Sequence, residues 1–445
     1  MKSILSFAAL CCLLISVPSL AADELYWPTF RGPVNTGVAP DADPPVTWSE
    51  TENIKWKVEF PGSGLSSPVI WGDKIFFLTE IETGSAAAAA PIQQQPAQGR
   101  GGRGGRGGGR RPTSEYSFEV ICMDRGAGKV LWQTRVKEAL PHEGHHNDGS
   151  FASYSPVTDG KLVWANFGSR GLHCLDVDGN LKWSQDMGPL RIRAGFGEGS
   201  SAGIAGNAVI VVADQEDQSY IYAFDKVSGN PLWKKERDEP TGWGSPIAVE
   251  VNGKLQVITN GTNFVRGYDP LTGEVIWKCS GQTTNPIPTP VAGLGKVYCA
   301  SGYRGSALYA IDPTKTGDVS NTDAVVWKVT EDTPYVPSPI LIDGKIYVIS
   351  VNKEIISCYD ANDGTAHYAK QTLEGPKGIY ASPVGVSGRV YFAGRNGVTS
   401  VVKTSDAFEV LATNTLDDKI DATPAIVGNE IYIKGLKYLY CIAKK

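Results

Sequence analysis

A unit of about 40 to 50 residues recurs along nearly the whole chain, and this recurrence restricts the fold more than any other feature. Each copy opens on Ser or Thr, then Pro and an apolar pair: Ser67-Pro68, Ser155-Pro156, Ser245-Pro246, Thr289-Pro290, Ser338-Pro339, Ser382-Pro383 and Thr423-Pro424. Ser201-Ala202 is the one variant, which brings the copies to eight. A turn with Gly or Asn follows, as in Asp159-Gly160, Asn252-Gly253 and Asp343-Gly344, and then an alternating strand such as Lys345-Ile346-Tyr347-Val348-Ile349. The copies close on Asp, a turn with Gly, and Trp: Asp124, Gly128 and Trp132; Asp225, Gly229 and Trp233; Asp269, Gly273 and Trp277. Copy two is one residue shorter, with Asp176, Gly179 and Trp183, and copy five carries an insertion before Trp327. Tyr368 and Leu411 take the place of the Trp in copies six and seven.

Four antiparallel strands per copy fit this pattern. Asp caps backbone amides in the last hairpin, and Gly supplies positive φ there. The closing Trp carries a flat apolar surface that one isolated sheet cannot bury, so each sheet must pack on its neighbour. Copy eight ends at Cys441-Ile442-Ala443, short of its own Trp, and the missing strand stands near the other end as Asn53-Ile54-Lys55-Trp56-Lys57. The predicted fold is therefore an all-β, eight-bladed propeller of four-stranded antiparallel blades, closed by an N-terminal strand that completes the last blade.

The stretch Gly267-Tyr268-Asp269-Pro270-Leu271-Thr272-Gly273-Glu274-Val275-Ile276-Trp277 resembles the tryptophan-docking repeat of pyrroloquinoline-quinone-like propellers. That repeat is shared by quinoprotein alcohol dehydrogenases and the BamB-like propellers of outer-membrane protein assembly, and the resemblance extends over essentially the whole chain after its leader. The opening Tyr26-Trp27-Pro28-Thr29-Phe30-Arg31-Gly32-Pro33 looks like a set of exported bacterial propellers of the same type. These motifs specify fold far more than activity.

Export is also expected from the N-terminus. Lys2, the apolar run Ile4 to Val17, and the small-residue pattern ending Ser19-Leu20-Ala21 read as a signal peptide over 1–21, leaving 22–445 as a single domain. The apolar run continues past Cys11 and Cys12, so a soluble periplasmic or extracellular protein is expected rather than a lipoprotein. With formal charge −5, the chain has no global basic field to draw nucleic acid, and none is expected as a partner. Cys122, Cys174, Cys358 and Cys441 share one repeat position with Ala223, Gly267 and Ala310, a tight core site that predicts free buried thiols, as for Cys279 and Cys299. One segment, 84–114 in blade one, breaks the repeat with Ala, Gln and Arg-Gly runs and is expected to be a disordered loop.

The loops between blades, and those between the second and third strands of each blade, should share one face around the axis. The first set offers His142, Glu143, His145, His146, Arg191, Arg193, Glu198, Trp243, Asn285, Tyr335, Tyr380 and Asp421; the second offers Arg170, Asp214, Glu216, Asn263, Arg304, Lys353, Arg395 and Lys437. Arg170, Arg304, Lys353, Arg395 and Lys437 stand at comparable positions, so they either converge on an anionic ligand or pair with neighbouring acids. His142, His145 and His146, three of five histidines, lie together with Glu143 and Asp148 and form the candidate metal cluster, set against a solvated or hydrogen-bonded loop. His173 and His367 fall within strands and are expected to be structural.

The quinoprotein resemblance implies a quinone held over a Trp in the axial channel, calcium held by Glu and Asn, and an Asp base. Many such enzymes add a disulfide between adjacent cysteines, whereas the only adjacent pair here, Cys11-Cys12, is in the leader. On that reading Trp243 is the floor, and Asp214 or Glu216 the base or metal ligand. The expectation adopted is a non-catalytic, BamB-like binding or scaffold propeller of the cell envelope, monomeric and requiring no cofactor. Its loop face would meet a protein partner or anionic ligand, with peripheral membrane association; pyrroloquinoline quinone with calcium is the enzymatic alternative.

Overall fold

The computed structural model describes residues 26–85, 109, 111–350 and 353–444. Each repeat becomes one antiparallel sheet, and eight sheets form the ring, with two short 3-10 turns, Gly168–Arg170 and Arg193–Gly195, the only helical segments among the described residues. Blade three shows the common plan: Gly203–Ala205 innermost, then Ala208–Ala213, Ser219–Asp225 and the outer Pro231–Arg237. Its second strand is buried at every position, while the outer strand has solvent on one side. Ala425–Val427, Glu430–Lys434 and Tyr438–Ala443 make three strands of blade eight, and Ile54–Glu59 adds the fourth, with Trp56 opposite Cys441 and Val58 opposite Leu439. The N-terminal strand thus closes the ring as the repeat count requires.

The Ser or Thr that opens each copy has a structural task. The N–H of Ser67 donates to the hydroxyl of Ser155 (2.9 Å), Ser155 to Ser201 (2.9 Å), Ser201 to Ser245 (3.0 Å) and Ser245 to Thr289 (3.1 Å). Thr289 then donates to Ser338 (3.0 Å), Ser338 to Ser382 (2.9 Å), Ser382 to Thr423 (3.0 Å), and Thr423 back to Ser67 (2.9 Å). Eight hydrogen bonds close a collar around the axis. The innermost strands are sheet edges, and the collar satisfies backbone donors that would otherwise be buried without partners. The Pro that follows has no N–H to satisfy. Ser201-Ala202 keeps the hydroxyl and dispenses only with the Pro.

At the rim, the closing Trp of one blade lies on the turn glycine of the next. Trp56 meets Gly128, Trp132 meets Gly179, Trp183 meets Gly229, Trp233 meets Gly273 and Trp327 meets Gly364, so closely that a Cβ would sit 2.5–2.8 Å from the indole. The indole N–H of Trp56, Trp132, Trp233 and Trp327 donates to a turn carbonyl, of Arg125, Val177, Pro270 and Ala361 respectively. Blade four differs: Trp277 is fully buried and donates to Gln256 (2.8 Å), while the copy-five insertion folds back so that Gly317–Asp318 pairs in parallel with Trp277 and Lys278. In blade seven the expected substitution at Leu411 is corrected by the register. Ala412 lies opposite Val401, the place Trp takes in other blades, and Leu411 is the exposed residue skipped at the bulge, as Leu232 is in blade three. The Asp caps form as expected, for example Asp225 accepting from the amides of Val227 and Ser228.

Residues 1–21 lie outside the described residues, as does most of 84–114; the hairpin that carries the latter is paired out to Ser85 and Ser114, longer than its counterparts. All six described cysteines are free and buried. Before Ile54, the chain runs beneath the ring: Tyr26–Trp27 pairs with the innermost strand of blade one, Val38 bridges Gly385 in blade seven, and Trp48 donates through its amide to Asn414. Midway along this strap, the fully buried Arg31 donates to the carbonyls of Pro339 and Pro383, each 2.8 Å, and of Thr36 (3.1 Å).

Candidate functional site

The axis holds a cavity of about 420 Å³. Seven hydroxyls of the collar line it, and Phe30 of the strap lines it together with a second cavity of about 290 Å³. Phe196, Trp243, Tyr303, Tyr335 and Tyr380 add aromatic walls from the interblade loops and the loop between strands two and three of blade five. Tyr303 and Tyr335 stack with centroids 5.1 Å apart, and the Trp243 indole is held in place by donating to the Gly197 carbonyl at 2.8 Å. Trp243, expected as the floor of an axial site, is among the residues that line this cavity.

Three carboxylates, Asp148, Glu198 and Asp421, share the lining with His146, but no Lys, Arg or Asn does. Each acid is already held. Glu198 accepts from Arg170 (2.7 Å), Tyr154 (2.8 Å), and the Ser169 amide (2.7 Å) and hydroxyl (2.6 Å). Arg395 lies between Asp148 (2.7 Å) and Asp421 (2.6 Å), with its guanidinium over the Tyr380 ring. The Arg395 hydrogen bond holds Asp148 below the usual carboxylate range, whereas burial outweighs the same cation at Asp421 and raises it.

The candidate cations are placed around this arrangement as follows. Arg170 and Arg395 are spent on acids of the cavity wall, and Lys353 pairs with Asp332. Arg304 and Lys437 are exposed on the loops and are not lining residues, although the Arg304 guanidinium lies over the ring of Tyr303, which is. None of the five is among the lining residues, whose charged side chains other than His146 are the three acids. Asp214 is also spent: buried, it grips Arg237 at two points, 2.7 and 2.9 Å. Glu216 is half-buried and accepts from the Thr241 amide (3.3 Å), outside the cavity lining.

The histidines of the candidate metal cluster are engaged in hydrogen bonds. His142 Nε2 lies 2.7 Å from the Leu190 carbonyl, His145 Nδ1 lies 2.8 Å from the His146 carbonyl, and His146 Nδ1 accepts from the Asp148 amide (3.1 Å). Edge-on packing of His145 on Phe151 and of His146 on Phe196 turns the rings apart. Among the described residues no three His, Cys, Asp or Glu side chains group as a metal requires. His173 is structural as expected: it lies 2.8 Å from the Ser184 hydroxyl, and burial lowers it to about 4.

Phe30, Phe196 and Tyr303 were absent from the sequence-based inventory. Phe30 sits in the opening motif, which carried a resemblance but no stated place in the ring, and Tyr303 adjoins Arg304, whose charge attracted notice instead.

A family model described as outer membrane protein assembly factor BamB matches residues 116–370, more than half of the sequence. The chain belongs to the BamB family. This BamB-family propeller is similar to the solved structure of BamB from Moraxella catarrhalis, at 14% identity and TM-score 0.53, over 73% of this chain and 93% of that one. It is also similar to quinohemoprotein alcohol dehydrogenase from Comamonas testosteroni, at 10% identity and TM-score 0.58, over 94% of this chain and 81% of that one. A quinohemoprotein alcohol dehydrogenase from Pseudomonas putida gives 11% identity and TM-score 0.58, over 94% and 80%. At such identities the likeness is one of fold. No curated protein matches the chain.

Proposed function

We propose that this BamB-family chain is an exported, non-catalytic binding propeller of the cell envelope that uses its loop face for contact. The observation that carries this reading is the charge of the axial wall: three engaged carboxylates and no cation among the lining residues. Pyrroloquinoline quinone is a polycarboxylate, and the lining offers it no Lys or Arg to pair with, because the nearby Arg170 and Arg395 are engaged by the wall's own acids. Calcium held through Glu and Asn lacks its Asn, and the Asp214 base is tied to Arg237. The residues present therefore do not fit the quinone and its metal. A partner bearing acidic groups would meet Arg304 and Lys437 on the exposed rim instead.

The test is calorimetric titration of the mature protein with pyrroloquinoline quinone, with and without calcium. No stoichiometric heat is expected in either case. Calcium-dependent binding at about micromolar affinity, with dye-linked oxidation of an alcohol, would replace this reading with a dehydrogenase.

A further inference from the structure

We infer that the axial cavity binds a neutral sugar of one or two rings, held between the hydroxyl collar below and the aromatic walls and fixed carboxylates above. The inference rests on the non-catalytic reading, and adds the ligand to it.

The collar is the first observation. Ser67, Ser155, Ser201, Ser245, Thr289, Ser338 and Ser382 line the cavity and are each at most 5% exposed. Every one of these oxygens accepts an amide hydrogen from the preceding blade, yet none donates its own O–H to a protein acceptor among the described residues. A ring of buried hydroxyl donors without acceptors surrounds one space. The ligand or water that fills this space must offer acceptors on several sides.

The wall above asks for a different complement. Glu198 is filled by its four hydrogen bonds, but Asp148 and Asp421 keep lone pairs in fixed positions, because Arg395 orients both. Those carboxylates accept from ligand hydroxyls. Their charge is offset locally by Arg395, and at Asp421 also by Lys419 at 3.6 Å, so a net charge on the ligand gains little. Trp243, Tyr335 and Tyr380 line the same space, and aromatic side chains suit the C–H face of a pyranose. A flat aromatic hydrocarbon would satisfy these walls and leave the collar unmatched. An aliphatic chain would leave both the collar and the acids unmatched. Of these three, a sugar ring carries donors, acceptors and an apolar face together. The cavity, about 420 Å³, lies within the roughly 300–1,000 Å³ of small-molecule sites.

The probes are glucose, N-acetylglucosamine and maltose, with glucuronate and glucosamine as charged counterparts, followed by tryptophan fluorescence and saturation-transfer NMR. At least one neutral sugar should bind saturably and more tightly than its charged counterparts. Trp243→Ala should weaken that binding about tenfold; Tyr335→Leu, which leaves the Trp243–Gly197 hydrogen bond intact, should do so as well if the first variant does not fold. No binding of any neutral sugar overturns the inference, as does preference for glucuronate or binding unmoved by a folded variant. Those outcomes leave the non-catalytic reading intact when the quinone titration is also silent. Sugar binding accompanied by dye-linked oxidation would instead sink the non-catalytic reading.

Discussion

At the scale of the residue, the turn glycines meet two demands at once. Gly229 has φ +74°, a conformation that costs other residues, and its missing Cβ leaves the space occupied by Trp183. The first demand follows from local turn chemistry; the second comes from the neighbouring blade. Glu80 illustrates a cost carried by one side chain. It is 5% exposed, its Oε2 has no hydrogen-bond partner, and burial raises it to about 7 against the pull of Arg170. An unfolded carboxyl ionises near 4.3, so between about pH 4.5 and 7 the unfolded chain has lost a proton that the folded one retains. Stability therefore falls across that window and the cost is complete above it. Glu80→Gln should be more stable than the parent at about pH 8, by on the order of 2 kcal/mol. The difference should vanish near pH 4, as read by urea unfolding at the two values.

Among the elements, two N-terminal segments act at a distance from their place in sequence. Ile54–Glu59 supplies the outer strand of blade eight, and the strap before it crosses beneath the ring from blade one to blade seven. Arg31 anchors the strap as a buried cation facing carbonyls rather than a carboxylate. Burial lowers it to about 9, still above neutral pH, so the guanidinium keeps its charge and its donors. Arg31→Met would strip the carbonyls of Pro339 and Pro383 of a charged donor and should cost about 3 kcal/mol. Differential scanning calorimetry reads this as a lower transition temperature; unfolding at the parent's temperature would show that the strap is not anchored there.

Across the whole molecule, stability comes from contacts repeated around a ring. The collar ties the inner strands, and the Trp–Gly docking ties the outer turns. The tight core position shared by Cys, Ala and Gly lies between them, where Cys122 faces Trp132 and Cys441 faces Trp56. Burial pushes the thiols of Cys122, Cys174, Cys358 and Cys441 up to about 12. A thiolate reagent at neutral pH should therefore label none of the six described cysteines in the folded protein and all of them in denaturant. Labelling of even one native thiol at the rate of a free thiol would show a blade interface that opens.

The sequence alone determined the blade number, the closing strand, the Asp-capped turns and the buried thiols. Each of these is local, or is a count of local units, and so is written in adjacent residues. The same holds for the face on which Trp243 and Asp421 lie, since strand order fixes it. Only the tertiary structure decided what the charges do. Arg170 with Glu198, Arg395 with Asp148 and Asp421, and Asp214 with Arg237 are pairs made across loops or blades, 28, 247 and 26, and 23 residues apart. No spacing rule encodes such partners. A residue type announces its charge, but whether that charge is free or spent depends on which side chain the fold brings within a few ångströms of it.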